Sequence, residues 1–293
     1  MKWLERDLYT KHRKRKTRTR NTIMKLLFLD LDGTLLNDQK EINPCDMDAI
    51  EKMIACGHKM IINTGRPLYS VMKLAKQFGF IRDGVLLSSF NGGLIVNPVT
   101  GERLKFDTVP EDVVRHMFDE AYSMGLHAHT YIEDHVVSER DTEELRFYTE
   151  RIKMPPLVVD DFAKVTNGLA PKVIVISLDG REKLEAYRDR MVAFADENNL
   201  YSTFSDARLL EYANPLANKG EAIKFMCKHL GVDISDTVAA GDEENDLPMI
   251  EAAGVGVCMK NGVDALKVAA DYVTEHTNND GGIKEIIEKF ILI

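Results

Sequence analysis

The stretch Leu26-Leu27-Phe28-Leu29-Asp30-Leu31-Asp32-Gly33-Thr34-Leu35 carries an apolar run straight into two carboxylates one residue apart. Few structural needs explain that pairing. In an open α/β sheet, ligands collect beyond the carboxyl ends of the strands, which is where Asp30 and Asp32 would emerge. Gly33 permits the sharp turn away from the strand. For this segment alone, an ordinary Asp-Gly turn is an equally good reading.

A second run, Thr237 to Ala240, ends in Gly241-Asp242-Glu243-Glu244-Asn245-Asp246. Carboxylates crowded in this way repel unless a cation joins them. A hard divalent ion such as magnesium takes oxygen ligands and keeps several waters, so two or three aspartates and a main-chain carbonyl suffice. Asp242 and Asp246 are the candidate ligands. The competing reading is a solvated acidic loop at a helix start, where negative charge is favoured. A third run ends in Asn63-Thr64-Gly65-Arg66-Pro67, which offers a hydroxyl, a close-approach glycine and helix N–H groups suited to an anion. Thr64 is a candidate for a phosphoryl oxygen or an ordinary N-cap. Lys219, in Asn214-Pro215-Leu216-Ala217-Asn218-Lys219-Gly220, would supply positive charge, although a single lysine is nearly always a surface residue.

These groups need elements that bring them together. From Met24 onward, short apolar runs alternate with amphipathic stretches, the pattern of a parallel sheet flanked by helices. Buried strands are predicted at Lys25 to Leu29, Lys59 to Ile62, Val85 to Ser88, Thr237 to Ala240 and Gly254 to Cys258. Pro67 opens one predicted helix, which Gly79 closes, and Asn218 opens another, which Gly231 closes. Between Thr108 and Leu210 the texture changes: helix-like stretches at Glu111 to Met124 and Arg181 to Asn198 accompany strand-like runs at His127 to Val137 and Val173 to Ser177. Core-like strands lie on both sides of this block, so it reads as an inserted α+β domain.

A chain of 293 residues with 44% apolar content can bury a large core, and two domains are the better expectation. The net charge of -9 argues against a general nucleic-acid or membrane-surface binder. Cys45, Cys56, Cys227 and Cys258 show no spacing typical of zinc or disulfide frameworks. No apolar run suggests a membrane span or secretory leader, so the cytoplasm is expected. Residues 1–23 form a basic extension holding the only tryptophan, Trp3. That extension reads as a leader before a start at Met24, as a solvated arm, or as a nucleic-acid patch, and neither nucleic acid elsewhere on the chain nor a membrane is expected as a partner.

Taken in order, the four segments resemble the four motifs of the haloacid dehalogenase-like (HAD) phosphatases, and more narrowly the Cof-type branch with a large inserted cap. Asp30-Leu31-Asp32-Gly33-Thr34 is similar to the first motif, Thr64-Gly65-Arg66 to the second, Lys219-Gly220 to the third, and Gly241-Asp242 through Asn245-Asp246 to the fourth. Asn91-Gly92-Gly93 and Met259-Lys260-Asn261 also resemble stretches of that branch. Asn218 departs from the pattern, where serine or glycine is commoner.

The resemblance implies an α/β fold, a doubly wound parallel-sheet (Rossmann-like) core over 24–107 and 211–293, with an α+β cap over 108–210. It implies magnesium-dependent hydrolysis of a small-molecule phosphate ester, most often a sugar phosphate. Asp30 would attack phosphorus and form an aspartyl phosphate. Asp32 would protonate the leaving oxygen and then activate water. Asp30, Asp242, Asp246 and the main-chain carbonyl of Asp32 would hold the ion. Thr64, Gly65, Lys219 and Asn245 would bind phosphate, and Arg66 and Asn91 are possible substrate contacts. A phosphomutase or phosphotransferase on the same scaffold, and a non-catalytic phosphate-ligand sensor, are the alternatives. His127 and His129 share one strand face near Tyr131 and His135, but read as ordinary strand residues before a metal site.

Overall fold

The computed structural model describes residues 23–293; the basic extension before Ile23 lies outside the described residues. In chain order the strands are β1 (Leu26–Leu29), β2 (Lys59–Asn63), β3 (Val85–Ser89), β4 (Leu94–Val96), β5 (Arg103–Phe106), β6 (His127–Tyr131), β7 (Val136–Ser138), β8 (Pro156–Val158), β9 (Lys172–Ile176), β10 (Tyr201–Asp206), β11 (Leu209–Ala213), β12 (Thr237–Gly241), β13 (Val255–Cys258) and β14 (Tyr272–Val273). They form an eight-stranded sheet in the order β14-β13-β12-β1-β2-β3-β4-β5 and a six-stranded sheet in the order β10-β11-β9-β6-β7-β8.

In the larger sheet, β14, β13, β12, β1, β2 and β3 run parallel. Apart from the half-buried edge strand β14 and the first residues of β2 and β13, their residues are buried because helices cover both faces. One face packs Leu27, Leu29, Met60 and Ile62 against α1 (Pro44–Ala55), α2 (Leu68–Gln77) and α10 (Gly282–Ile286). The other packs Leu26, Phe28 and Ile61 against α7 (Lys219–Leu230), α8 (Leu247–Ala252) and α9 (Asp264–Ala269). Alternate residues of one strand thus feed two separate cores. The chain winds one way from β1 and the other way from β12, so the reversal falls between these two neighbours. The antiparallel strands β4 and β5 extend this sheet beyond the parallel set that the sequence pattern predicts. β5 reads Arg-Leu-Lys-Phe and is only half-buried, so it lacks the apolar run of an inner strand.

The second sheet arises from the inserted block. Its strand-like stretch at His127 to Val137 is a hairpin, β6 and β7, broken at Ile132 to His135. α3 (Glu111–Ser123) and α6 (Arg181–Glu197) cover one face through Val114, Met117, Phe118, Leu184, Tyr187 and Met191. α4 (Glu143–Ile152) sends Leu145 and Tyr148 to the core on the opposite side, and α5 (Ala163–Thr166) leads into β9. The last strand, β11, runs across position 210 to Ala213 before the chain returns to the larger sheet.

Candidate active site

The reversal between β1 and β12 places the ends of both strands side by side, with Leu29 level with Ala240. One residue beyond β1, the Asp30 N–H still donates to the Ala240 carbonyl at 3.1 Å. Asp242 follows the last residue of β12 directly. The short turn after it ends at Asp246, whose Oδ2 accepts from the N–H groups of Asp242 (2.9 Å) and Glu243 (3.1 Å). One carboxylate oxygen from each of Asp30, Asp242 and Asp246 falls within 4.8 Å of the others.

Lys219 enters this cluster from the first turn of α7. Its side chain is fully buried, with Nζ 2.5 Å from Asp30 Oδ1 and also donating to Asp246 Oδ1. Asn218 caps that helix: its Oδ1 accepts from the Gly220 and Glu221 N–H groups at 3.0 and 2.9 Å. The unusual asparagine is therefore a good N-cap, and it fixes where Lys219 begins the helix. Asn63 adds a further tie by donating from Nδ2 to the Lys219 carbonyl at 3.1 Å, while Ser88 holds the Asn63 Oδ1 at 2.8 Å.

Burial raises the Asp242 carboxyl to about 7, with neighbouring carboxylates adding to the effect and a hydrogen bond from Thr34 opposing it. Asp30 rises to about 6, again chiefly through burial, with Lys219 pulling it down and Asp246 pushing it up. Lys219 loses from burial, yet the two aspartates leave it above the ordinary lysine value. Three carboxylates cluster beside one ammonium, which contacts Asp30 and Asp246 but not Asp242, so full ionisation leaves excess negative charge. The donors are all hard oxygens, the set suited to a divalent cation such as magnesium. Among the described residues, Oδ2 of Asp30 and of Asp242 carry no side-chain hydrogen bond, whereas both oxygens of Asp246 are engaged.

Asp32 takes a different course. Its side chain is 40% exposed and stands outside the three-aspartate cluster, gripped by Arg66 through Nε to Oδ2 and NH2 to Oδ1, both 2.7 Å. Lys40 adds a third contact at 2.7 Å. Burial opposes ionisation of Asp32, but these cationic hydrogen bonds prevail and hold its carboxyl below the ordinary value. Arg66 thus meets an aspartate. Thr64 is buried at the end of β2, its carbonyl accepting from the Asn91 N–H at 2.9 Å. Gly65 backs onto the Asn91 side chain, where a Cβ would crowd Oδ1 at 2.9 Å. Asn245 is exposed on the turn between Asp242 and Asp246.

Sequence reasoning gave no role to two contacts. Thr34 Oγ1 donates to Asp242 Oδ1 at 2.8 Å, although its place beside Asp32-Gly33 was a usable signal. Lys40 had no local signal at all. Gly33 adopts φ +79° and lies so close to Asp242 that any Cβ would strike that carboxylate, so glycine is required on two counts. His127 and His129 are buried against each other, Nε2 to Nδ1 at 3.2 Å, and burial keeps both neutral by lowering their affinity for protons.

The chain is similar to known phosphatases and hydrolases along most of its length. A protein of Streptococcus pyogenes named "Putative phosphatase M6_Spy0533" is 31% identical over 271 residues, spanning 92% of this chain and 99% of its own length. The 5-amino-6-(5-phospho-D-ribitylamino)uracil phosphatase YitU of Bacillus subtilis is 27% identical, spanning 90% of this chain and 97% of its own. The crystal structure of a haloacid dehalogenase-like hydrolase from Bacteroides thetaiotaomicron superposes with a TM-score of 0.81 at 28% identity, covering 91% of this chain and 99% of that one. Among the described residues, no helix is long and apolar enough to cross a membrane. The family described as haloacid dehalogenase-like hydrolase matches residues 27–287, from within β1 to just past α10, and the chain belongs to that family.

Proposed function

We propose that this protein is a magnesium-dependent phosphohydrolase that removes phosphate from a small organic phosphomonoester through an aspartyl phosphate on Asp30. The observation that carries the reading is the meeting of Asp30, Asp242 and Asp246 within 4.8 Å around the buried Lys219. A structural ion pair needs one carboxylate for one ammonium. The surplus carboxylates, with Oδ2 of Asp30 and of Asp242 outside any side-chain hydrogen bond, suit a site for a divalent cation and a phosphoryl group.

Asp30, Asp242, Asp246 and the Asp32 carbonyl would hold magnesium, which when bound would neutralise charge on the phosphoryl oxygens. Asp30 attacks phosphorus, and the bond to the leaving oxygen breaks in line. Lys219 offsets charge on the equatorial oxygens, with Thr64, Gly65 and Asn245 as further phosphate contacts. Asp32 gives a proton to the leaving oxygen and then takes one from the water that hydrolyses the aspartyl phosphate. Arg66 and Lys40 orient that side chain and favour its ionised form, the form that takes the proton from water in the second step. Arg66 and Asn91 border the substrate. The segment 108–210, with β11 completing its sheet, serves as a cap over the core formed by 24–107 and 211–293, excluding water during attack.

The substrate proposed is a sugar phosphate or a similar polyol ester; the phosphoribitylaminouracil named for the Bacillus relative falls within that range. A phosphate-release screen over many phosphomonoesters, with and without magnesium and beside Asp30→Asn, tests the reading. Release is expected from the parent with magnesium and almost none from the variant. Equal turnover by both removes Asp30 from its assigned role.

A further inference from the structure

The chain passes between the two sheets twice, leaving the core after β5 at 107–110 and returning after β11 at 214–218. Lys105, next to last in β5, stands at both passages. Its side chain is 9% exposed, and its Nζ donates to the Leu216 carbonyl at 2.8 Å, to the Gly92 carbonyl at 2.8 Å, and to the Asp107 carboxylate. An ammonium has three donors, and all three are used. Asp107 belongs to the outgoing passage and Leu216 to the returning one, so a single side chain ties them together.

The third contact reaches toward the reacting groups. Phe90, Asn91 and Gly92 all have positive φ, at 52°, 55° and 93°. Left-handed backbone at two non-glycine residues is unfavourable and persists only where surroundings enforce it. The enforcing contacts are visible: the Phe90 N–H donates to the Arg66 carbonyl at 3.1 Å and the Asn91 N–H to the Thr64 carbonyl at 2.9 Å. Gly92 backs onto Asn218, where a Cβ would lie 2.6 Å from the carbonyl oxygen. The Phe90 ring meets Tyr131 of the second sheet at 5.3 Å. This loop is wedged between the segment carrying Thr64 and Arg66, the helix start carrying Lys219, and the cap.

We infer that Lys105 is the hinge pin of the enzyme, a positioning residue that holds both interdomain passages and the 90–92 loop in one arrangement and so keeps Thr64 and Lys219 aligned as the cap moves. It touches no reacting atom and acts through the Leu216 and Gly92 carbonyls. Leu216 lies three residues before Lys219, so slack there reaches the ammonium directly. Slack at Gly92 reaches Thr64 through Asn91. The inference rests on the phosphohydrolase reading for its kinetic consequence, but its structural consequence stands apart from it.

Lys105→Met keeps the stem and removes every donor; Lys105→Arg keeps charge and donors. On the best phosphomonoester with magnesium, Lys105→Met is expected to lose about tenfold or more in kcat with KM changed by less than about threefold, as misplacement remote from the chemistry does. Lys105→Arg recovers most of the loss. Unchanged kcat in folded Lys105→Met, or a loss that Lys105→Arg does not relieve, overturns the assignment. If Lys105→Met does not fold, Asp107→Asn weakens one contact and must still lower kcat more than KM; parental kcat in that variant overturns it too. Amide hydrogen exchange needs no turnover: Asn91, Gly93 and Ala217 are expected to exchange about tenfold faster together in the folded Lys105 variant, as local opening becomes easier. Parental protection at all three overturns the hinge assignment whether or not the protein releases phosphate, whereas a parent that releases none fails the functional reading alone.

Discussion

Arg66 and Asp32 face each other through two parallel 2.7 Å hydrogen bonds, so the guanidinium clamps the carboxylate in one orientation. A lysine cannot reproduce that fork. Arg66→Lys and Arg66→Ala are both expected to lower kcat by about tenfold or more, within the range attributed to a positioned general acid. Lys40→Ala, which removes one more exposed contact, is expected to cost less. Steady-state kinetics of the three variants checks the order, and equal kcat in Arg66→Ala and the parent refutes it.

Magnesium is expected to raise the thermal midpoint of the parent, because an ion that binds only the folded chain stabilises it by about 2.7 kcal/mol at a hundredfold excess over its dissociation constant. Asp242→Asn should lose most of that shift, since Asp242 contributes an oxygen that no side chain engages. Scanning calorimetry with magnesium and after chelation decides this independently of activity.

Lys219→Met leaves Asp30 and Asp246 buried without their cation. Breaking a buried pair in this way costs about 3–5 kcal/mol. The variant is expected to be inactive and less stable, and magnesium should recover more stability in it than in the parent. Chemical denaturation at several magnesium concentrations measures the difference.

Acid should destabilise the protein through His127 and His129. Both stay neutral in the folded chain, His127 with its pKa lowered to about 3 by burial. The unfolded chain binds protons at these sites near pH 6.5, so stability is complete above that value and falls as pH drops toward 3. Asp30 and Asp242 have the opposite sign without metal. Raised to about 6 and about 7, they bind more protons when folded, and their contribution fades as pH rises from about 4 to 7. Bound magnesium would keep them ionised and remove that opposing slope. Denaturation midpoints between pH 5 and 7.5 should therefore rise more steeply with magnesium than without it, and His129→Phe should flatten the rise. An identical slope in all three samples contradicts the assignment.

Gly33→Ala combines a left-handed backbone with a collision against Asp242. Loss of magnesium-dependent stabilisation along with activity is expected, and a variant that keeps both shows that the loop can shift.

Segments with local backbone signatures are legible in the amino-acid order alone. β1 ends at Leu29 because a four-residue apolar run meets Asp30 and then a glycine turn, and α7 begins and ends where Asn218 and Gly231 say it should. Alternation of buried runs with amphipathic helices points to a parallel sheet covered on both faces, since an inner strand has no polar side to show. Candidate residues at strand ends follow from the same logic.

Tertiary structure decided what no local pattern encodes. β4 joins the sheet by pairing with β3 and β5 by pairing with β4, although β5 carries too little apolar surface to announce itself. Lys219 is buried only because strands distant in sequence deliver Asp30 and Asp246 to it, and Lys40 and Arg66 find Asp32 only after two loops fold together. Lys105 looks like any surface lysine until three acceptors from separate segments converge on it. Strand and cap signals act over a few residues of backbone, and a sequence displays them directly. Electrostatic partnership depends on distances across the folded chain, so the amino-acid order supplied the groups and the packing chose which of them meet.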